Sequence, residues 1–182
     1  SVSLFVMNLN YKLDIILLER LSTATEVGLY SIGVRFAELI WQIPASVGVV
    51  IFARSASKKG SKEFSLKVLQ LLRVIFPTVV LVSIFFFFLM EWFIVSLYGT
   101  AFLESVMMMK LLLPGVVLVV IFKILNFDLA GRGKPLVALY GAIPALIVNV
   151  VLNVWLIPKH GGNGAALAST ISYSIFSVIY LA

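Results

Sequence analysis

Four polar residues share one face of an otherwise apolar segment that covers residues 28–53. They follow one another at the spacing i, i+4, i+7 and i+11, which places them on one side of an α-helix. They are Ser31, Arg35, Glu38 and Gln42. Inside a helical bundle, such a face predicts binding of a polar or charged ligand. A simpler interpretation is that Arg35 and Glu38 form an intrahelical ion pair that helps the helix insert.

Other apolar segments carry shorter polar faces. In the first segment, Asn8 and Lys12 are four residues apart, with Asp14 nearby. The remaining members lie in the fourth and fifth segments and are Lys123, Asn126, Asp128, Asn149 and Asn153. Several helices with inward polar faces together predict a polar cavity. The alternatives are that Lys12 snorkels to the interface and that Asn149 and Asn153 only join helices by hydrogen bonds.

No enzyme-like group of residues accompanies these faces. The single histidine, His160, lies in a short loop with no carboxylate neighbour in sequence. The chain has no cysteine, which excludes disulfides, thiolate metal sites and a cysteine nucleophile. Paired carboxylates in a loop and a phosphate-cradling glycine loop are also missing from the sequence. We therefore expect no catalysis, no cofactor and no metal site.

The composition is that of an integral membrane protein. Apolar residues make up 62% of the chain and charged residues 12%, whereas soluble domains have roughly 45–50% and about 25%. A helix needs about 20 apolar residues to cross a bilayer. Polar and Gly/Pro breaks divide this chain into six such segments. The sequence predicts an all-α membrane protein with helices at about 3–21, 28–53, 69–97, 106–129, 136–157 and 164–182.

The net charge of +6 is unevenly distributed among the loops. The loops at residues 54–67 and 131–135 hold seven Lys and Arg residues, and the other three loops hold two. The positive-inside rule places the two basic loops, and hence both ends of the chain, in the cytoplasm. This bias accounts for the charge without a nucleic-acid partner. Because the chain begins at Ser1 and ends within an apolar run, we expect it to be part of a longer polypeptide.

The last segment opens with small residues, GGNGAALAST at 161–170, which let helices approach closely. The preceding string is NVVLNVWLIPKHG. Together they resemble the polysaccharide (O-antigen or oligosaccharide repeat-unit) flippases of the multidrug/oligosaccharidyl-lipid/polysaccharide exporter superfamily. Further strings similar to that family occur in the same order: LDIILLERLSTATEVGLYSIGVRFAELIWQIP, VSLYGTAF and LLLPGVVLVVIFKILNFDLAGRGKP. Two departures are Ser169, where the family more often has Thr, and Arg132 within GRGKP.

The resemblance implies an architecture and an activity. Such flippases have two lobes in the bacterial inner membrane, so residues 1–182 would be the C-terminal six-helix lobe, and its partners would be the N-terminal lobe and the lipid bilayer. The activity implied is transfer of an undecaprenyl-diphosphate-linked oligosaccharide to the outer leaflet, by alternating access around a polar cavity.

The same resemblance implies roles for the polar faces. Lys12, Arg35 and Lys123 would offer cations to the substrate diphosphate. The acids would pair with these cations or carry a coupling proton or sodium ion, and they are Asp14, Glu38 and Asp128. The amides would contact sugar hydroxyls, and they are Gln42, Asn126, Asn149 and Asn153. Two alternatives stay open: a cation-coupled multidrug exporter of the same superfamily, which would favour acids over cations in the cavity, and a non-transporting membrane scaffold.

Overall fold

The computed structural model describes residues 2–57 and 62–181, and in these ranges the chain is helical with no β-strand. A 3₁₀ turn, Thr100–Phe102, precedes the fifth helix. The helices are α1 Val2–Leu21, α2 Ala24–Leu39, α3 Gln42–Ser57, α4 Lys62–Tyr98, α5 Leu103–Gly131 and α6 Val137–Leu181. The predictions for the side chains of Asn8, Lys58, Lys59 and Lys62 fall outside the described residues.

Three helical stretches are long and apolar enough to cross a membrane: Glu63–Tyr98, Thr100–Gly131 and Val137–Ile179. A fourth is obtained when α2 and α3 are taken as one bent span. Helix α1 is not among them, and it carries four charged residues: Lys12, Asp14, Glu19 and Arg20. An all-helical chain with membrane-type helices is therefore confirmed, while six spans stay a prediction.

The predicted single helix at 28–53 is two helices in the structure. Helices α2 and α3 meet at a bend of 50°. Pro44 explains the break, because a proline has no N–H and its ring collides with the carbonyl four residues earlier, here that of Ile40. The last turn of α2 tightens before this point, where the N–H of Ile40 bonds three residues back to the carbonyl of Ala37 at 3.3 Å. The polar face predicted from Ser31 onward consequently ends at the bend, and Gln42 belongs to α3.

Helix α6 folds back on itself at Gly161, whose φ of 53° and ψ of −133° are not helical. Contacts across the fold run in opposite directions along the two halves. The Ser172 hydroxyl donates to the carbonyl of Ala145 at 2.8 Å, and Asn149 Nδ2 donates to Ser169 Oγ at 3.5 Å. The two halves are therefore antiparallel.

We call residues 137–160 the first arm of α6 and residues 162–181 its second arm. They correspond to the fifth and sixth predicted helices. A Cβ on Gly164 would lie 2.5 Å from the carbonyl oxygen of Leu156. The run of small residues therefore brings the second arm against the first, as the sequence predicted.

The bundle is organised around α5. Helices α2, α3, α4 and α6 all pack against it, while α1 packs mainly against α6. The α5 side chains at the centre are fully buried, including those of Val119, Phe122 and Ile124. Helix α4 lies at the edge, with apolar side chains such as Phe88 and Trp92 exposed.

Candidate functional site

Asp14 of α1 is the most buried acid among the described residues, with 1% of its surface exposed. Three side chains donate hydrogen bonds to its carboxylate. Tyr30 of α2 donates its hydroxyl at 3.2 Å, and Asn153 of the first arm of α6 donates Nδ2 at 2.6 Å. The third donor is the hydroxyl of Ser169 on the second arm. One carboxylate thus joins α1, α2 and both arms of α6.

Two amides complete this network. Asn153 Nδ2 also donates to Asn149 Oδ1 at 3.0 Å, which is possible because the two residues lie four positions apart on one helix face. Both amides are fully buried, and Asn153 Oδ1 has no hydrogen-bond partner. We call Asp14, Tyr30, Asn149, Asn153 and Ser169 the Asp14 centre.

The Asp14 centre contains no cationic side chain, and in the described part of the chain no Lys or Arg forms an ion pair with Asp14. A carboxylate removed from water without a counter-charge is costly. Its neighbours present hydroxyl and amide oxygens, the ligand type that small hard cations prefer. The arrangement can therefore take up a proton or a small hard cation.

A second polar group lies on α2 and α5. The Lys123 ammonium sits 3.6 Å from the centre of the Trp41 ring, a cation–π contact. The ring is fixed by its Nε1, which donates to the carbonyl of Val116 at 3.2 Å. Glu38 is half-buried and interacts electrostatically with both Lys123 and Arg35. We call Arg35, Glu38 and Lys123 the α2–α5 stripe.

A narrow cavity lies between the two groups. Its volume is about 10 Å³, close to what one water molecule needs. The walls include Asp14 and Tyr30 from the Asp14 centre and Glu38 from the α2–α5 stripe, with Trp41 beside them. The two acids therefore line one small space.

Asp128 has a different environment near the end of α5. Arg132 Nη2 lies 2.7 Å from its carboxylate, and the hydroxyls of Ser55 and Ser65 donate to it at 2.6 Å and 3.2 Å. We call these four residues the Asp128 clamp. It fastens α3 and α4 to α5, and its acid is neutralised by a fixed cation. This is the arrangement of a structural contact.

The structure brings together part of the predicted site. Asp14, Asn149 and Asn153 form one network, and Glu38 joins them through the cavity wall. Lys123 is half-buried, whereas Lys12, Arg35 and Gln42 are exposed. Asn126 is 4% exposed, and its Oδ1 has no hydrogen-bond partner.

Tyr30 and Ser169 were not predicted as site residues. Tyr30 precedes Ser31 of the polar face and points away from it, because adjacent helical residues are about 100° apart. Ser169 was interpreted as one of the small packing residues. The feature that could have identified Ser169 as a site residue is its hydroxyl, which lies within a run that packs against the arm carrying Asn149 and Asn153.

The fold and site define an all-helical protein with membrane-type helices and a buried polar centre joined to a charged face. Comparison of the chain with protein-family models, with curated proteins and with solved structures finds no match. The function is therefore argued from the residues themselves.

Proposed function

We propose that the chain is one lobe of an exporter that flips polyprenyl-diphosphate-linked oligosaccharide units across the bacterial inner membrane for surface polysaccharide biosynthesis. The observation that carries the proposal is the position of the α2–α5 stripe, with its two cations around Glu38, beside the Asp14 centre, with which Glu38 shares a cavity wall. Ionisable groups within membrane-type helices are costly, and they mark substrate and ion pathways. Here they come from three helices of an otherwise apolar bundle.

In this proposal the α2–α5 stripe binds the diphosphate. Arg35 and Lys123 supply the positive charge, and the negative charge of Glu38 offsets their mutual repulsion between transport events. Charge-assisted hydrogen bonds to phosphate are strong where water is excluded. Arg35 is exposed in this lobe, which leaves it available to a substrate held between two lobes. Gln42 and Asn126 are then the candidate contacts to sugar hydroxyls.

The Asp14 centre carries the coupling ion in the same proposal, a proton or a sodium ion. Occupancy changes which hydrogen bonds Tyr30, Asn153 and Ser169 donate to the carboxylate. Since these donors belong to α2 and to the two arms of α6, an occupied and an empty centre favour different packing of the helices. A difference of this kind can bias rocking between inward-open and outward-open states.

Six membrane spans and a two-lobe arrangement belong to the proposal. The spans are α1, the bent pair α2 and α3, α4, α5, and the two arms of α6. The second arm has a length of about 30 Å at 1.5 Å per residue, which matches the hydrocarbon thickness. The fold at Gly161 supports counting α6 as two spans.

A cation-coupled multidrug exporter is the second candidate, because one observation favours it. The two carboxylic acids Asp14 and Glu38 line the narrow cavity without a Lys or Arg among the described residues of its wall, while Lys12 and Arg35 are exposed. Acids in the cavity suit a cationic substrate better than a diphosphate.

The deciding experiment uses Arg35→Ala and Lys123→Ala, singly and together, in cells that lack their own flippase. We expect the double variant to lose restoration of surface polysaccharide at normal membrane levels. The matched control is Arg73→Ala, which removes an exposed cation from α4 and is expected to leave export unchanged. Full export by the double variant would contradict the diphosphate-binding role.

Two further readouts separate the alternatives. Drug resistance that requires Asp14, without polysaccharide export, would identify the multidrug exporter. The scaffold is tested by labelling Arg35→Cys and Glu38→Cys with water-soluble thiol reagents, for which the cysteine-free chain gives a clean background. If neither position is labelled, a partner protein covers the stripe and the transport proposal is wrong.

A further inference from the structure

An apolar groove of about 200 Å³ runs between α3 and α4. Its floor is formed by Ile51, Phe64 and Val68, which are all buried. Its walls are formed by exposed side chains, including Val50 from α3. Because α4 lies at the edge of the bundle, the groove opens sideways, where a membrane-spanning helix meets lipid.

Two cations stand at the rim of this groove, one from each helix. Arg54 lies in the last turn of α3 and Lys67 near the start of α4. Among the described residues, Arg54 has no carboxylate partner. Lys67 is 2.8 Å from Glu63, but their side chains are 58% and 77% exposed, and exposed pairs of this kind are weak. Both cations are therefore available to an anion.

The combination of floor and rim selects the chemical class of the ligand. A soluble anion would use the cations but not the apolar floor, and a neutral lipid would use the floor but not the cations. We propose that this groove binds an anionic phospholipid of the bilayer, with an acyl chain on the floor and the phosphate between Arg54 and Lys67.

The depth of the two cations supports this assignment. Arg54 is three residues from the end of α3, and Lys67 is five residues from the start of α4. Arg54 also directly follows the apolar segment 28–53, and Lys67 lies two residues before the apolar segment 69–97. Both cations therefore stand where an apolar segment of this kind meets the head-group level. Basic pockets between helices at this level bind anionic head groups.

The lipid would reinforce a contact that the protein makes nearby. Helices α3 and α4 both reach Asp128 of the Asp128 clamp, through Ser55 and Ser65. A lipid seated between Arg54 and Lys67 joins the same two helices from the outside. This inference stands independently of the proposed function.

The test is native mass spectrometry of the purified protein with phosphatidylglycerol and phosphatidylcholine that carry the same acyl chains. Each basic side chain near an anionic head group strengthens binding about fivefold. We therefore expect the protein to prefer phosphatidylglycerol by about 20- to 30-fold. The variant Arg54→Gln with Lys67→Gln should bind the two lipids within about threefold of each other.

The matched control is Arg73→Gln with Lys134→Gln. It also removes one Arg and one Lys, both exposed and both outside the groove. We expect the control to keep the preference for phosphatidylglycerol. An equal loss in both double variants, or none in Arg54→Gln with Lys67→Gln, would overturn the site.

A second pair of variants tests the apolar floor. Val50→Trp and Leu71→Trp each fill the groove from one wall and leave both cations in place. At least one should fold with a normal melting temperature, because both wall residues are exposed. We expect such a variant to lose most of the preference. An unchanged preference would show that the cations act only as surface charge, and the groove proposal would fail.

Discussion

Two buried aspartates of this bundle have opposite surroundings. Asp128 lies 2.7 Å from the guanidinium of Arg132, and its other partners are two serine hydroxyls. Asp14 accepts hydrogen bonds only from neutral groups among the described side chains: a tyrosine, an asparagine and a serine. The residue type and the degree of burial are similar, so the two sites differ in the hydrogen-bond and ion-pair partners of the aspartate.

The two surroundings suit different roles. A carboxylate that faces a fixed cation cannot take up an ion without giving up its ion pair. A carboxylate surrounded by neutral oxygens and N–H groups can exchange a proton or an ion without breaking an ion pair. In the proposed function, Asp128 therefore fastens helices and Asp14 exchanges the ion.

The two regions also fasten different parts of the bundle. The Asp128 clamp joins α3 and α4 to α5, whereas the Asp14 centre joins α1 and α2 to the arms of α6. The Asp14 centre therefore lies among helices that contribute no side chain to the clamp, and in the proposed function a change at Asp14 alters their packing.

Asp14→Asn is expected to have the largest effect on transport. The substitution keeps the shape of the side chain but removes the charge that takes up a proton or cation. If the Asp14 centre couples ion movement to transport, the rate falls by about 100-fold, while the protein level in the membrane stays normal. Transport assays in cells and immunoblots of membrane fractions measure the two quantities.

The matched variant is Asp128→Asn, which makes the same chemical change in the Asp128 clamp. At equal protein level we expect its transport to stay within about threefold of the unsubstituted protein. Normal transport by the Asp14→Asn protein would contradict a role of Asp14 in ion coupling.

Asp128→Asn is expected to have the largest effect on stability. It leaves Arg132 beside an uncharged partner, and breaking a fully buried pair costs about 3–5 kcal/mol. Since 21% of the Arg132 side chain is exposed, we expect about 2–3 kcal/mol. Thermal unfolding in detergent measures the change. A melting temperature equal to that of the unsubstituted protein would show that the ion pair contributes nothing.

One glycine with a positive φ stands at the fold of α6 and another stands beside the Asp128 clamp, and the space around the two glycines differs. Gly161, at the fold of α6, has a φ of 53°, and a Cβ there would lie 2.7 Å from the Glu26 carboxylate. That carboxylate accepts a hydrogen bond from the N–H of Gly162 at 2.7 Å. Gly133, beside the Asp128 clamp, has a φ of 76° with open space around it.

Alanine at these two turns should therefore have unequal costs. Gly161→Ala combines backbone strain with displacement of Glu26, and we expect a loss of about 2 kcal/mol. Gly133→Ala carries the backbone strain alone, about 1 kcal/mol. The melting temperatures of the two variants measure the difference. Equal losses would mean that the contact of Glu26 with the second arm contributes nothing to stability.

Much of the fold could be predicted from the sequence, because membrane-type helices are specified by local apolar composition. Helices α4 and α5 follow this rule directly. The bend before Pro44 is also local, but a proline is compatible with either a kink within one helix, as expected for the segment 28–53, or a full break into two helices. The turn at Gly161 was predicted as a longer loop, and the structure confines the break to one residue.

The site could be predicted only in part. Asn149 and Asn153 were recognisable as a pair because they lie four residues apart. Their partner Asp14 is 139 positions away from Asn153, and such a pairing depends on how helices pack. The ion pair of Asp128 could have been predicted from spacing, because Arg132 lies four residues further along the chain. The contact of Asp14 with Ser169 spans 155 positions and depends on the packing of helices.

The smallest expected effects come from two serines that donate to the two aspartates. Ser169→Ala and Ser55→Ala each remove one hydroxyl donor from a buried carboxylate, and each should lower the free energy of unfolding by about 1 kcal/mol.

Their functional effects should differ. Ser169→Ala changes the affinity of the Asp14 centre for its ion, so the ion concentration that supports half-maximal transport shifts by about fivefold. Ser55→Ala leaves that concentration unchanged, because its carboxylate partner keeps Arg132. Equal shifts in the two variants would show that the Asp14 centre, like the Asp128 clamp, serves only to hold helices together.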